Sequence, residues 1–319
     1  MLVIGRSEVE AVIDIASMAV DIEAAYVAAS AGEVEIPPVG HITFPDVDGD
    51  CHIKYGHRRG DADFVIKIAT GFPHQSSHGQ PTGNGMSLVI SATTGEVQAI
   101  LHDEMLLTDI RTGIGGAIAT RRLARSDATK LLIVGTGVQA RRQIEAHVEL
   151  LDRPLDVRVW GRSAAAAATV VDDLRASAKA QVATDLAAAC RWADIIATST
   201  AADEPIIADE WIAPGTHITA VGADASGKHE LDAHLLQRAD LLVADSAAQC
   251  LDHGEFSAIA DDPERASAVV ELGNLLARPT LARSTNDITI ADLTGIAAQD
   301  IAAARNVLAQ LGIDRHSTV

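Results

Sequence analysis

The stretch Leu131-Leu132-Ile133-Val134-Gly135-Thr136-Gly137-Val138-Gln139-Ala140 decides the fold. Its four apolar residues form a run short enough for a fully buried strand. They lead straight into a G-x-G-x-x-A pattern made by Gly135, Gly137 and Ala140, and the chain beyond has a helical period. Strand, glycine turn and helix in that order are the context that separates a dinucleotide site from a chance match. Glycine at 135 permits the tight turn, glycine at 137 lets the backbone approach a pyrophosphate, and a small residue at 140 lets helix and strand pack closely. The N-terminus of the helix supplies N–H groups and a positive dipole end for that anion. Val138, Gln139 and Thr198 are assigned to the same cofactor site.

Outward from this motif, strands alternate with helices. Strands are expected at 130–134, 156–160, 182–184, 195–198, 216–221 and 241–245, and helices near 138–151, 163–178, 185–192, 231–237 and 246–252. Alternation of this kind predicts a doubly wound, mostly parallel sheet of Rossmann type, covered on both faces. The second strand ends in Gly161-Arg162-Ser163 with no acid at its tip. An acid there normally holds the ribose 2′-hydroxyl of NAD. Arg162 can pair with a 2′-phosphate and Ser163 can hydrogen-bond to it, so NADP(H) is expected over NAD(H).

The N-terminal third has a different rhythm. A helix is expected from Ser7 to about Ala31, stopping at Gly32, and Pro37-Pro38 then forces extended chain. Strands follow at 51–56, 64–69, 87–91 and 97–102, with Gly71–Gly85 as a long loop between the second and third. A Gly- and Ala-rich helix over 109–124 implies close approach to a neighbouring backbone, and a long amphipathic helix returns after Gly295. The fold class is therefore α/β: a Rossmann-type domain plus an α+β domain.

The chain has 319 residues, with 44 acidic against 25 basic side chains and a formal net charge of -19. That balance argues against nucleic acid and anionic membrane surfaces as partners. Apolar residues make up 48%, ample for packed cores, but aromatics only 3%, so the cores must be built from Ala, Val, Leu and Ile. No segment approaches the ~20 apolar residues of a membrane span. The first residues lack the pattern of a signal peptide, and a cytoplasmic protein is expected. Cys51, Cys190 and Cys250 are far apart and read as reduced structural thiols. His74 and His78 lie in a loop rather than on one helix face, and no metal site is expected.

Four blocks together resemble the ornithine cyclodeaminase/mu-crystallin family: VIKIATGFP with GQPTGNGMSLVISATTGE (65–96), LLTDIRTGIGGAIATRRLA (106–124), LLIVGTGVQARRQIEA (131–146) and ITAVGADASGKHELD (218–232). A fifth, TIADLTGIAAQDIAAA (289–304), is similar to the family's C-terminal block. The resemblance implies a homodimer. It also implies a substrate-binding and dimerisation domain formed by 1–112 with 290–319, and a dinucleotide-binding domain at 113–289.

It further implies chemistry at the α-carbon of a small amino or imino acid, with a nicotinamide as hydride carrier. By the same resemblance Lys67 is the active-site lysine, although strand alternation alone also allows it plain exposure. Arg111 is the guanidinium fork that grips the α-carboxylate. Asp224, after the fifth strand, is the acid or base beside the substrate nitrogen. Lys228 and Glu230 read as structural. Ser226 stands where the family often has proline. The arginine that usually follows the N-terminal proline stretch is missing, and His41 is the candidate for its role. Thr82 and Asn84, in the loop near Lys67, are candidate substrate contacts.

The resulting expectation is an NAD(P)-dependent oxidoreductase acting on the C–N bond of an amino acid or cyclic imino acid. The alternatives are a cyclodeaminase, which releases ammonia and regenerates its cofactor, and a non-catalytic protein that binds NADPH and a small ligand.

Overall fold

The computed structural model describes residues 1–175 and 178–313. The chain forms two compact units. One comprises Met1–Arg111 and the segment from Ile296 onward, the other Thr112–Gly295. The expected return to the first domain at 290 comes later, because Thr289–Asp292 is a strand of the second unit's sheet. Residues 314–319 of the expected first domain lie outside the described residues.

The first unit carries seven strands: β1 (Leu2–Gly5), β2 (Val34–Glu35), β3 (Gly40–Phe44), β4 (Gly49–Arg58), β5 (Asp63–Gly71), β6 (Gly83–Ser91) and β7 (Val97–His102). Their order is β1-β7-β6-β5-β4-β2, with β3 also on β4, and every pairing but β1 with β7 is antiparallel. β1, β2 and β3 are not among the strands expected from the sequence. The single helix expected from Ser7 is two. Arg6–Glu10 is followed by a break, and Asp14 then caps a new helix, Ile15–Ser30, by accepting the Ser17 N–H at 2.8 Å. The helix Ala297–Gln310 lies on β4, β5 and β6 and also packs against Ile15–Ser30. Asn306 pins the two helices together by donating to Asp21 Oδ2 at 2.7 Å.

This arrangement settles which face of β5 is inside. Lys67 lies on the helix-covered face and is 4% exposed, while its neighbours Ile66 and Ile68 stand on the other, half-buried face. The expectation that Lys67 could project into solvent is thereby corrected. Alternation identified two faces, but both carry apolar residues, so it did not identify which one the helix covers.

The second unit is a parallel sheet of β8 (Lys130–Val134), β9 (Asp156–Trp160), β10 (Ala180–Val182), β11 (Ile195–Thr198), β12 (His217–Ala220), β13 (Leu241–Ala244), β14 (Val270–Glu271) and β15 (Thr289–Asp292). The order is β10-β9-β8-β11-β12-β15-β13-β14, so the chain winds one way from β8 and then the other. Such a reversal opens a crevice at the carboxyl ends of the central strands, here β8 and β11. Leu131 to Val134 are fully buried, as the apolar run predicts. The Gly/Ala helix is Leu106–Leu123, and the expected close approach is present: a Cβ added at Gly113 would lie 2.5 Å from the Arg142 carbonyl oxygen. The helix expected over 163–178 is Ala164–Asp173, and positions 176 and 177 lie outside the described residues. Among the described residues no helix is long and apolar enough to cross a membrane.

Carboxylates are buried in this unit at Glu230, Asp245, Glu255 and Asp292. They tie loops to strand ends. Glu255 accepts the N–H groups of Glu230 and Leu231 at 2.7 and 3.1 Å, and Asp292 accepts that of Phe256 at 3.0 Å. Burial, with the neighbouring Asp292 and Glu230 charges, pushes Glu255 up to about 9. Burial, reinforced by Asp245 and opposed by the Phe256 N–H, pushes Asp292 up to about 8. The folded state therefore keeps protons that the unfolded chain releases at ordinary carboxyl values. Stability from this source is full below those values and is lost as pH rises toward about 8 to 9. Melting temperature should fall from pH 6 to 9, and Asp292→Asn should show a shallower fall in parallel calorimetric scans; equal slopes would contradict the assignment.

Candidate active site

In the first unit, three charged side chains meet in the interior. Lys67 on β5 donates from Nζ to Asp300 Oδ1 at 2.9 Å, and Arg111 Nε donates to the same oxygen at 3.0 Å. Arg111 Nη1 also donates to Gln299 Oε1 at 3.3 Å, and Gln299 Nε2 returns a bond to the Arg111 carbonyl at 3.3 Å. All three charged residues are at most 5% exposed. Desolvation, then the Arg111 charge, pushes the Lys67 ammonium down to about 7, and the Asp300 carboxylate only partly offsets them. Burial alone would raise Asp300, but the Lys67 and Arg111 charges outweigh it and hold it below the usual carboxyl range. Lys54 stands opposite Lys67 in the β4–β5 register and is buried too. Asp103 ends β7 and caps the next helix, accepting the Leu107 N–H at 2.7 Å.

The structure thus brings Lys67 and Arg111 together. It also adds Asp300, Gln299 and Lys54, which the sequence reading did not single out. Asp300 had a signal: it is a lone charge among the alanines of AAQDIAAA. Lys54 had one too, because Asp50, His52 and Lys54 alternate with Cys51, Ile53 and Tyr55. Asn84 and Thr82 fall elsewhere, while His41 shares the Lys67 face of the sheet at its exposed edge. Asn84 is exposed and, three residues from the Lys67 partner Ser87, stands on the opposite face of the sheet. Thr82 is exposed, and its carbonyl accepts the Phe72 N–H at 2.6 Å. His41 is exposed on β3, opposite His52.

In the second unit, the turn after β8 has the properties a phosphate cradle requires. Gly135 has φ 137°, and a Cβ there would lie 2.6 Å from Ser199 Oγ, so the turn admits only glycine. Gly137 is different. It caps the helix Val138–Leu150 with no side-chain hydrogen bond, and a Cβ there would meet nothing within 4 Å. Packing within the protein does not demand glycine at 137, whereas close approach of an anion to the backbone does. Val138 is 47% exposed at the same helix end, Gln139 is half-buried and Ala140 is fully buried. A side chain at Gly161, after β9, would strike Thr136 in the turn itself. These residues fit a dinucleotide.

Arg162 is exposed and forms no ion pair among the described residues. Ser163 Oγ accepts the Ala166 N–H at 3.2 Å as a helix cap. Thr198 is fully buried, and its hydroxyl donates to Glu230 Oε2 at 2.6 Å. That contact makes it an internal support of the edge. Glu230 also accepts the N–H groups of Thr200 and Gly222 at 2.6 and 2.9 Å. The carboxylate therefore clamps the loops after β11 and β12 and positions Asp224 at the same carboxyl edge. Asp224 is exposed, and its Oδ1 accepts from Lys228 Nζ at 2.6 Å.

A parallel sheet with this turn at its reversal point, and a separate unit with a buried cation pair, define a two-domain dinucleotide-binding protein of α/β class. The comparison with protein families is specific: the ornithine cyclodeaminase/mu-crystallin family model matches residues 1–312, and the chain belongs to that family. It is similar to an alanine dehydrogenase of Archaeoglobus fulgidus, 31% identical over 313 residues, covering 96% of this chain and 94% of the relative. It is also similar to a Delta(1)-pyrroline-2-carboxylate reductase of Paracoccus denitrificans, 35% identical over 234 residues, covering 71% and 73%. Among solved structures, an archaeal alanine dehydrogenase dimer with bound NAD superposes with a TM-score of 0.88 at 29% identity, covering 97% of this chain and 95% of that one.

The two glycines should separate in mutation. Gly135→Ala combines the Ser199 clash with a strained φ and should cost about 1–3 kcal/mol of stability. Gly137→Ala should lower the melting temperature much less than Gly135→Ala, through the helix cap alone, and weaken NADPH binding in a fluorescence titration. Unchanged binding would remove the cradle assignment.

Proposed function

We propose that this chain is an NADP(H)-preferring oxidoreductase in which Lys67 and Arg111 hold the substrate's carboxylate and Asp224 manages the proton at its nitrogen. The broader activity rests on the family and its relatives: the chain is an NAD(P)-dependent oxidoreductase acting on the C–N bond of an amino or imino acid. The observation that carries the finer reading is the buried Lys67–Asp300–Arg111 cluster. Two cations against one carboxylate form a receptor for one more anion. An α-carboxylate on Arg111 is gripped by a planar fork, which fixes the α-carbon next to it. An ammonium at Lys67 beside an imine withdraws electron density from its carbon. A nicotinamide cofactor held at the Gly135–Gly137 turn would supply the hydride for that carbon. Asp224, at the carboxyl edge and in contact with Lys228, gives or takes the accompanying proton.

In this reading Met1–Arg111 and the C-terminal segment make the substrate and dimerisation domain, and Thr112–Gly295 holds the dinucleotide. Homodimerisation is supported by the uncovered face of the first sheet. There Tyr55, Ile66, Leu88 and Ile100 stand in one cross-strand row, an apolar surface that a second copy would cover. The preference for NADP(H) is supported by the exposed Arg162 and the absence of an acid at the end of β9.

The test is NADPH oxidation with cyclic ketimines and with keto acids plus amines, with ammonia release assayed alongside. Net NADPH consumption is expected. Ammonia release with no net change in NADPH would overturn the reductase reading. Lys67→Met should lower kcat/KM by about 10²-fold or more. Because the ammonium form is needed and Lys67 titrates near 7, kcat/KM for reduction should fall as pH rises through about 7. A profile flat to pH 9 would contradict that role. Arg162→Ala should raise the Kd of NADPH at least tenfold and leave that of NADH unchanged.

A further inference from the structure

We propose that His41, Asp50 and His52 form a binding site for a divalent transition-metal ion of the zinc class. The register creates the site. His41 on β3 is the antiparallel partner of His52 on β4, and Asp50 precedes His52 by two residues. Partners in register, and residues two apart on one strand, project from the same face. All three side chains consequently converge, with one ligand atom from each lying within 4.8 Å of the others. Nε2 of His52 and Oδ2 of Asp50 are 3.2 Å apart, and the two imidazole rings have centroids 4.3 Å apart. Ligands at the usual zinc distances sit about 3.4 Å from one another in a tetrahedral shell, so the His52–Asp50 spacing already matches.

The carboxylate is also aimed. Asp50 Oδ1 accepts the Gly71 N–H at 3.1 Å, which leaves Oδ2 directed at His52. Such an outer contact orients a ligating carboxylate. Gly71 makes room for it, because a Cβ at that position would lie 2.8 Å from Oδ1. A bare His52–Asp50 ion pair would need neither the opposing His41 nor this support.

Two imidazoles and one carboxylate suit zinc, cobalt or nickel rather than calcium or magnesium. Three protein ligands leave one position for water or a small anion. The site shares its sheet face with Lys54, two residues beyond His52, and with Lys67 opposite Lys54. A metal there would add a cation along that face and would give His41 a part distinct from direct carboxylate binding. Neither His74 nor His78, the pair weighed from the sequence, is among these three ligands: His74 Nε2 lies 4.0 Å from Asp48 Oδ2, before the start of β4.

The experiment uses the untagged full chain, stripped with chelator and titrated with Co²⁺, read by its visible absorption bands and then displaced with Zn²⁺. One equivalent of Co²⁺ should bind saturably and be displaced by Zn²⁺. His52→Ala and Asp50→Asn should each weaken binding at least tenfold. His41→Ala, an exposed position where folding is safe, should do the same, and His74→Ala should bind as the parent does. Failure to bind one equivalent, or a His41→Ala chain that binds as tightly as the parent, would overturn the site whatever the enzyme's substrate proves to be.

Discussion

The first unit depends on one buried carboxylate. Asp300 receives both Lys67 and Arg111, and neither cation has water to fall back on. Isolated charges in an interior are costly, and removing one partner of a buried pair typically costs about 3–5 kcal/mol because the other is left uncompensated. Residues 67, 111 and 300 belong to a strand, the start of one helix and the C-terminal helix. The ion cluster therefore specifies where the last helix docks, and with it the return of the chain to a sheet whose strands all lie before residue 103. The apolar contacts of Ala297–Gln310 supply area but little direction, since so many of them are alanine.

The same cluster is poised rather than saturated. Lys67 sits near 7 because desolvation and Arg111 outweigh what Asp300 returns. In the proposed role, an incoming carboxylate would shift that balance toward the ammonium form, so ligand charge and lysine charge would arrive together. In the second unit an equivalent constraint is met with hydrogen bonds. Glu230 is buried, and burial raises its carboxyl above the ordinary value despite several donors. In exchange, the loops after β11 and β12 are held by a single side chain. Asp224 stands on the second of these loops, so the residue assigned to proton transfer is exposed but its backbone is anchored.

Much of this was legible in the sequence, for physical reasons that differ by element. The run Leu131–Val134 is buried on both faces and short, so it had no competing reading, and its glycines followed from the turn. Arg111 and Lys67 were visible through family resemblance, not through periodicity. The burial of Lys67 was invisible to alternation, because Ile66 and Ile68 suggested that their own face was the covered one. β3 lacked a signal since its residues after Gly40 are exposed and it pairs only with β4. Asp300 stood out as a lone charge among alanines, but its contact with Lys67 and Arg111, like the His41–His52 pair, is a product of long-range register and helix docking, which one sequence does not display. Ser163 and Thr198 were placed at the right edge, but the structure uses their hydroxyls as a helix cap and a clamp.

The net charge of -19 is compatible with a receptor for anions only because the two act over different distances. Exposed charges are screened beyond about 8 Å at physiological ionic strength. The acidic surface therefore sets solubility and repels long polyanions, whose binding sums many surface contacts. A small carboxylate meets a different field. Lys67 and Arg111 are at most 5% exposed, so their attraction is little screened and is offset mainly by Asp300. Composition thus argues against nucleic acid while carrying no information about a small anionic substrate, whose recognition is here assigned to Lys67 and Arg111.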